Sequence, residues 1–375
     1  MDFEKIWSLI HEQLTPEHLV LALIPTLIVA VLKSLGFRII KNLRRAVGAI
    51  TAMLLALPRY LQLLHFVQSA EKPIWEYRKF GKVELRDIPP VITIMNFKGG
   101  VGKTTIAANV AACLSLKHNK KVLLIDLDYQ GSLSSELIPE DTNISKFGNT
   151  IGKWLASATA PAKPEDDFIT PDDLPKIRLL TADYDLSDIE DNQLQRWLLK
   201  DRTNGDIRSR LARYIRANKG KPDCDFDIII MDAPPRLSLA AANAVRASAM
   251  ILIPTRLQFL SAQPIRKMLN RLQTFKSKSG GSFKVGGVIG NFTNSRSKPS
   301  GKEAVSIETI KEALAGHPDD PVIFDTLIPN TPDIGSADTR PAYLSKKSGP
   351  NAPEPIFDAL TTEILKRLNV ILLQR

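Results

Sequence analysis

Residues 91–375 predict an α/β fold, a mostly parallel sheet with helices on both faces, and residues 1–70 predict an α-helical module ahead of it. Three observations carry this. Apolar runs of strand length, Val91–Met95, Val122–Ile125, Ile228–Met231, Ile251–Ile253, Val285–Ile289 and Val322–Ile323, alternate with longer helical patterns. Such alternation is the pattern of parallel strands buried on both faces by crossover helices. A glycine-rich turn separates the first run from the first helical pattern, Ile106–Leu116. Residues 71–90 are polar and end in Pro89-Pro90, as a linker between two modules would.

Composition bounds the classes. The chain has 375 residues, 44% hydrophobic, 24% charged and 6% aromatic, which excludes collagen-like, low-complexity and wholly disordered proteins. Two cysteines, Cys113 and Cys224, are too few for a disulfide framework and read as free thiols in a reducing compartment. The formal charge of +10 suits an anionic partner, either nucleic acid or anionic lipid. A mean hydropathy of −0.07 argues against a protein that is mostly membrane.

The N-terminal module contains one uncharged run of fourteen residues, 19–32 (LVLALIPTLIVAVL), in which only Thr26 is polar and Pro25 interrupts. That is shorter than the roughly 18 residues a spanning helix needs. Extended through Lys33 and Ser34 to Phe37, with the lysine snorkelling, it could still cross a bilayer. Residues 1–18 carry net −3 and residues 33–45 net +5, so a single span would leave everything after Lys33 in the cytosol. The acidic flank argues against a cleaved signal peptide. A second run, Ala46–Leu57, ends at Pro58 and resumes from Leu61 to Val67. The preferred reading is one span or none, with residues 37–67 as a basic amphipathic helix at an anionic membrane surface. The alternative is a soluble helical hairpin buried against the rest of the chain or a partner protein.

After the first predicted strand comes Asn96-Phe97-Lys98-Gly99-Gly100-Val101-Gly102-Lys103-Thr104-Thr105. A strand, a glycine-rich turn and a helix in this order bring backbone N–H groups and the positive end of a helix dipole to one spot. Phosphate oxygens satisfy both, Lys103 adds a mobile positive charge, and the Thr104 hydroxyl can hold Mg²⁺. The ordinary phosphate-loop pattern has Gly six residues before the loop lysine. Here that position is Phe97, and a second lysine, Lys98, follows it.

On these residues the chain resembles the deviant-Walker-A ATPases of the ParA/MinD family, whose KGGxGKT fingerprint Lys98–Thr104 matches throughout. The resemblance implies a P-loop NTPase sheet over residues 91–375, with Gly99, Gly100, Val101, Gly102, Lys103, Thr104 and Thr105 around the phosphates of ATP. Asp126-Leu127-Asp128-Tyr129-Gln130-Gly131-Ser132 is similar to the family's second motif, except that Tyr129 stands where relatives usually have Pro. It implies that Asp126 belongs to the metal shell and that Asp128 orients the attacking water. Ile228–Asp232 is an apolar strand ending in a carboxylate able to hold a Mg²⁺ water, followed by Ala233-Pro234-Pro235. Thr104, Asp126 and Asp232 are thus the candidate metal group, and Lys98, Lys103 and Asp128 the candidate catalytic residues. Asn291 and Pro329 resemble positions that flank the adenine in relatives; the alternative reading is that both end strands.

By the same resemblance ATP closes a homodimer in which Lys98 reaches the partner's phosphates, and hydrolysis is slow and stimulated by a protein the sequence does not identify. The implied function is an ATPase that positions or segregates a cargo at the cytoplasmic face of a membrane. Two others are carried beside it: a DNA-partition ATPase of the cytoplasm or nucleoid with an N-terminal protein-interaction domain, and a switch subunit of a larger membrane complex. Residues 256–315 hold eleven Lys and Arg against three Glu, which suits non-specific DNA binding through residues 256–311 or a solvated helix face. The C-terminal residues 364–373 (ILKRLNVILL) read as a last domain helix in preference to a membrane tail.

Overall fold

The central strand runs Val91–Ile94, Val122–Asp126 and Ile228–Asp232 are buried at every position because both faces of the sheet are covered there. The computed structural model describes residues 88–138, 150–199, 206–221, 223–257, 262–294, 299–335, 340–345, 349 and 352–374. The expected module at 1–70, with its membrane-contact segment 19–67, lies outside the described residues, as does most of the expected linker.

The elements in chain order are β1 (Val91–Ile94), α1 (Lys103–Leu116), β2 (Val122–Asp126), α2 (Ser132–Leu137), α3 (Thr150–Ala156), β3 (Ile177–Leu180), α4 (Asp185–Leu199) and α5 (Arg210–Asn218). There follow β4 (Ile228–Asp232), α6 (Leu239–Ala247), β5 (Met250–Arg256), α7 (Ala262–Ser279), β6 (Lys284–Thr293), α8 (Gly301–Leu314), β7 (Val322–Ile323), β8 (Ile328–Pro329), α9 (Pro332–Gly335) and α10 (Pro353–Leu373). The sheet runs β3-β2-β4-β1-β5-β6-β7, with β8 also paired to β6. Every one of these pairings is parallel.

Alternation along the strands sends Ile92, Ile94, Leu124, Ile230 and Leu252 to one core, shared with α1 and with Ile356, Phe357, Leu360 and Ile364 of α10. Val91, Leu123, Ile125, Ile229 and Met231 go to the opposite core, against Leu211 of α5 and Ala240 and Ala244 of α6. Helix α1 is buried along nearly its whole length, which accounts for its alanine-rich sequence. The C-terminal residues 364–373 are part of α10 and bury Ile364, Leu368 and Ile371, so they pack as the last domain helix. Among the described residues no helix is long and apolar enough to cross a membrane.

Two strands are not among the six apolar runs named above. The edge strand β3 contains Arg178 in four residues, and β8 is only two residues long. Arg178 interrupts the apolar run of β3, and β8 reads in the sequence only as a strand end at Pro329.

Because all strands are parallel, their C-terminal ends lie along one edge. From β1 the chain passes to β2 on one side, whereas from its neighbour β4 it passes to β5 on the other. The loops after β1 and β4 therefore leave in opposite directions along that edge, the place at which open α/β sheets bind ligands.

Candidate active site

Asp126 and Asp232 are partners in the β2–β4 register, so two carboxylates end adjacent strands side by side. Both are buried, Asp232 at 1% and Asp126 at 0% exposure. Their environments differ. Asp126 Oδ1 accepts from the Asp128 N–H at 3.0 Å, and its Oδ2 accepts from the N–H and the hydroxyl of Ser134 at 2.9 and 2.8 Å. Asp126 thereby ties the loop after β2 to the start of α2. Burial nevertheless raises its pKa to about 6, against the lowering effect of those donors.

Asp232 accepts at Oδ2 from the Thr104 hydroxyl at 2.6 Å. Its other oxygen, Oδ1, has no hydrogen-bond partner among the described residues. Burial, then the charge of Asp126, pushes its pKa up to about 8. A third acid, Glu136 of α2, is pushed to about 8 by burial and by Asp232, and its Oε1 is likewise unpartnered among the described residues. The sequence reading missed Glu136 and Ser134, because no motif marks a polar residue on a short helix.

The loop between β1 and α1 wraps the front of this pair. Gly102 caps α1 with a φ of 85° and Gly100 has a φ of 65°, both in the left-handed region that a Cβ disfavours. A Cβ on Gly102 would also lie 1.9 Å from Asn291 Nδ2. Lys103 is 7% exposed, at the first turn of α1. Lys98, Gly99 and Gly100 are exposed, Val101 is buried, and Thr104 and Thr105 are half-buried. Asn96 braces the loop entry, donating to Pro254 O at 2.7 Å and accepting from the Lys98 N–H at 2.9 Å. The structure thus brings Lys103, Thr104, Asp126, Asp128 and Asp232 to one edge, with Lys98 presented outward.

Of the two candidates for base contact, Asn291 lies against the phosphate loop and Pro329 lies in β8. Asn291, 4% exposed, donates from Nδ2 to Val101 O at 2.9 Å and accepts at Oδ1 from the Phe292 N–H at 2.8 Å. Its polar atoms face the phosphate loop and its own backbone. Pro329 is buried in β8, paired with Thr293. Asp128 is half-exposed and accepts from the Gln130 N–H at 3.2 Å.

The basic stretch is partly structural. Arg256 Nε donates to Gly100 O at 2.9 Å, Lys276 and Lys284 lie 2.5 and 3.6 Å from Asp319, and Lys311 pairs with Glu308. Arg266, Lys267 and Arg271 are exposed on α7, and Lys302 is exposed on α8. Arg296 and Lys298 lie outside the described residues.

The chain is similar to known proteins. A family model described as an AAA domain matches residues 90–285, more than half of the chain. The chain is 24% identical over 277 residues to the chromosome-partitioning ATPase Soj of Treponema pallidum, covering 74% of this chain and 97% of that one. It is 30% identical over 206 residues to the chromosome partitioning protein ParA of Myxococcus xanthus, covering 55% and 66%. Among solved structures, cobyrinic acid a,c-diamide synthase of Mycobacterium smegmatis with bound ATP analog and magnesium superposes with a TM-score of 0.58 at 22% identity, covering 74% and 95%. That likeness shows the shared fold. With the KGGxGKT loop seated between β1 and α1 and a carboxylate at the end of β4, the chain belongs to the ParA/MinD family of P-loop ATPases.

Proposed function

We propose that the chain is an ATP-dependent dimerising switch that hydrolyses ATP slowly and segregates or positions a cargo. One observation carries this reading: the phosphate loop holds one lysine inward, at the buried Lys103, and one outward, at the exposed Lys98. Lys103 offsets charge on the β- and γ-phosphates of its own nucleotide, and Lys98 is free to reach the nucleotide of a second copy. Asp128 orients the attacking water in line with the phosphorus.

The donor set fits Mg²⁺. Thr104 Oγ1 and Asp232 are hard oxygen donors 2.6 Å apart, and the buried Asp232 Oδ1 is without a hydrogen-bond partner among the described residues. Thr104 would hold the ion directly and Asp232 through its water, with Asp126 organising the loop beside them. When bound, the ion supplies charge that offsets the phosphates and favours the ionised form of Asp232.

Removal of the γ-phosphate would release the dimer, so the nucleotide times assembly. The names of the Treponema and Myxococcus relatives support a partitioning role. Three exposed cations of α7, Arg266, Lys267 and Arg271, favour DNA as the surface on which the dimer sits. The membrane reading rests on residues 19–67 alone. Both are tested by ATP-dependent, salt-sensitive DNA retention and by alkaline washing of membranes from cells making the full chain.

The dimer is tested first. In size-exclusion chromatography with a non-hydrolysable ATP analogue and Mg²⁺, the wild-type chain should shift to twice its mass, whereas Lys98→Ala should bind nucleotide and stay monomeric. A normal dimer in Lys98→Ala would overturn the role of Lys98 in trans.

A further inference from the structure

Two carbonyl groups of the phosphate loop are held from outside by side chains of the neighbouring strands. Arg256, the last residue of β5, donates from Nε to Gly100 O at 2.9 Å. Asn291 of β6 donates from Nδ2 to Val101 O, also at 2.9 Å. The two side chains come from one register pair, Arg256 opposite Asn291, so adjacent strands deliver adjacent clamps to adjacent peptide units.

In a trans peptide unit the C=O and the following N–H point in opposite directions. Holding Gly100 O outward therefore turns the Val101 N–H to the other side of the loop, and holding Val101 O does the same for the Gly102 N–H. Gly100 and Gly102 both have positive φ, the kind of backbone that gathers successive N–H groups into an anion-binding nest. Phe292 supports the pair from behind. It is a non-glycine residue at φ 55°, its N–H is tied to Asn291 Oδ1 at 2.8 Å, and its ring lies 4.0 Å from the Arg256 guanidinium. A strained backbone of this kind persists where its surroundings over-determine it.

We propose that Arg256 and Asn291 are positioning residues of the nucleotide site, holding two carbonyls outward so that the Val101 and Gly102 N–H groups are set in advance for a polyphosphate. The proposal rests on the ATPase reading and adds to it. It makes Arg256 part of the site, not of a DNA surface, and gives Asn291 a target in the loop in place of the base.

The test uses the full chain with Mg²⁺ and displaces a fluorescent ATP with ATP, GTP or inorganic tripolyphosphate, alongside steady-state kcat and KM. Arg256→Ala and Asn291→Ala should each weaken ATP and tripolyphosphate by the same factor, about tenfold, or roughly 1.4 kcal/mol. The ratio of ATP to GTP affinity should stay as in wild type, and KM should rise more than kcat falls. Arg256→Lys, which keeps a cationic donor beside Phe292, should recover most of the loss and also serves if Arg256→Ala does not fold.

Unchanged tripolyphosphate affinity in the folded alanine variants, with or without a lower melting temperature, would overturn the proposal. Loss of ATP binding with GTP binding retained in Asn291→Ala would return Asn291 to the base and overturn its part. Lys103→Ala separates this from the broader reading: if it abolishes nucleotide binding while Arg256→Ala and Asn291→Ala leave affinity at the wild-type value, only the clamp fails. A wild-type chain that binds no nucleotide overturns both.

Discussion

Two buried acids, one ending a strand and one in a connecting segment, are treated in opposite ways. Asp319, in the segment before β7, is 5% exposed. It accepts from Lys276 Nζ at 2.5 Å and from the Val285 N–H at 3.0 Å, with Lys284 Nζ at 3.6 Å. Burial alone would raise its pKa, but the Lys276 hydrogen bond and the other donors outweigh burial and hold it below the usual value. Asp232, at the phosphate-loop edge, has one hydroxyl donor on one oxygen, none on the other among the described residues, and a pKa pushed up to about 8. A buried carboxylate given all its partners fastens α7 and β6 to the segment before β7. One left short of partners carries its charge at a cost, which a cation placed beside it would offset.

The largest test of that contrast is neutralisation of each acid. Asp232→Asn should slow ATP hydrolysis by about 10²–10³-fold, yet raise the melting temperature of the nucleotide-free, Mg²⁺-free protein at pH 8, because a charge that costs stability is gone. A lower melting temperature there would mean that the Asp232 carboxylate is already satisfied. Asp319→Ala should do the reverse. It should cost roughly 2–3 kcal/mol, less than a fully buried pair because both lysines are partly hydrated, and leave kcat within about twofold of wild type. Urea unfolding and steady-state kinetics on the two variants decide it.

The pH dependence of stability should separate the same two acids by sign. The folded pKa of Asp232, about 8, lies above its unfolded value of 3.8, so the native state binds the extra proton between them. This group's contribution is favourable at low pH and is lost as pH rises through that window. The folded pKa of Asp319 is depressed, so its contribution is present above 3.8 and is lost as pH falls through the lower folded value. Subtracting the stability curves of Asp232→Asn and Asp319→Asn from that of the wild-type chain without Mg²⁺ should give differences of opposite slope. Slopes of the same sign would remove the distinction.

How much of this was legible in the sequence follows from what each feature needs. The parallel sheet was legible because strands covered on both faces are uniformly apolar, and six of the eight were found on that ground. The phosphate loop was legible because its chemistry depends on contiguous residues: Gly100 and Gly102 carry the turn, and Lys103 and Thr104 follow at once. Asp232 was legible as a charge ending an apolar run. Arg256 and Asn291 could not be read as a pair, since they lie 35 positions apart in sequence and meet only through the β5–β6 register. Nor could Lys276 and Lys284 be separated from the exposed cations of α7, because Asp319 reaches them only after the chain has traversed β6 and α8. Positive charge was countable, whereas its commitment to Asp319 was a property of the fold.

The smallest effect expected concerns the one position where the second motif departs from its relatives. Tyr129, in the loop after β2, lies under the Arg236 guanidinium at 4.8 Å, and Arg236 belongs to the loop after β4. Arg236 Nη2 also reaches Glu190 Oε2 at 3.1 Å and Ser187 Oγ at 3.2 Å, both on α4. The other oxygen of Glu190 accepts from the Ala240 N–H in the first turn of α6. The loops that carry Asp128 and follow Asp232 are thereby joined through a stacked cation, where a proline at 129 would offer no aromatic face. An exposed cation–π contact is worth about 0.5–1 kcal/mol. Spent on keeping the loops in register for hydrolysis, that energy converts to a two- to fivefold change in kcat, at roughly 1.4 kcal/mol per factor of ten. Tyr129→Ala and Arg236→Ala should each slow turnover by about that factor, and the double variant should be no slower than either single one. Tyr129→Phe, which keeps the ring, should match wild type. Additive losses in the double variant would show that the stacked cation does not couple the two loops.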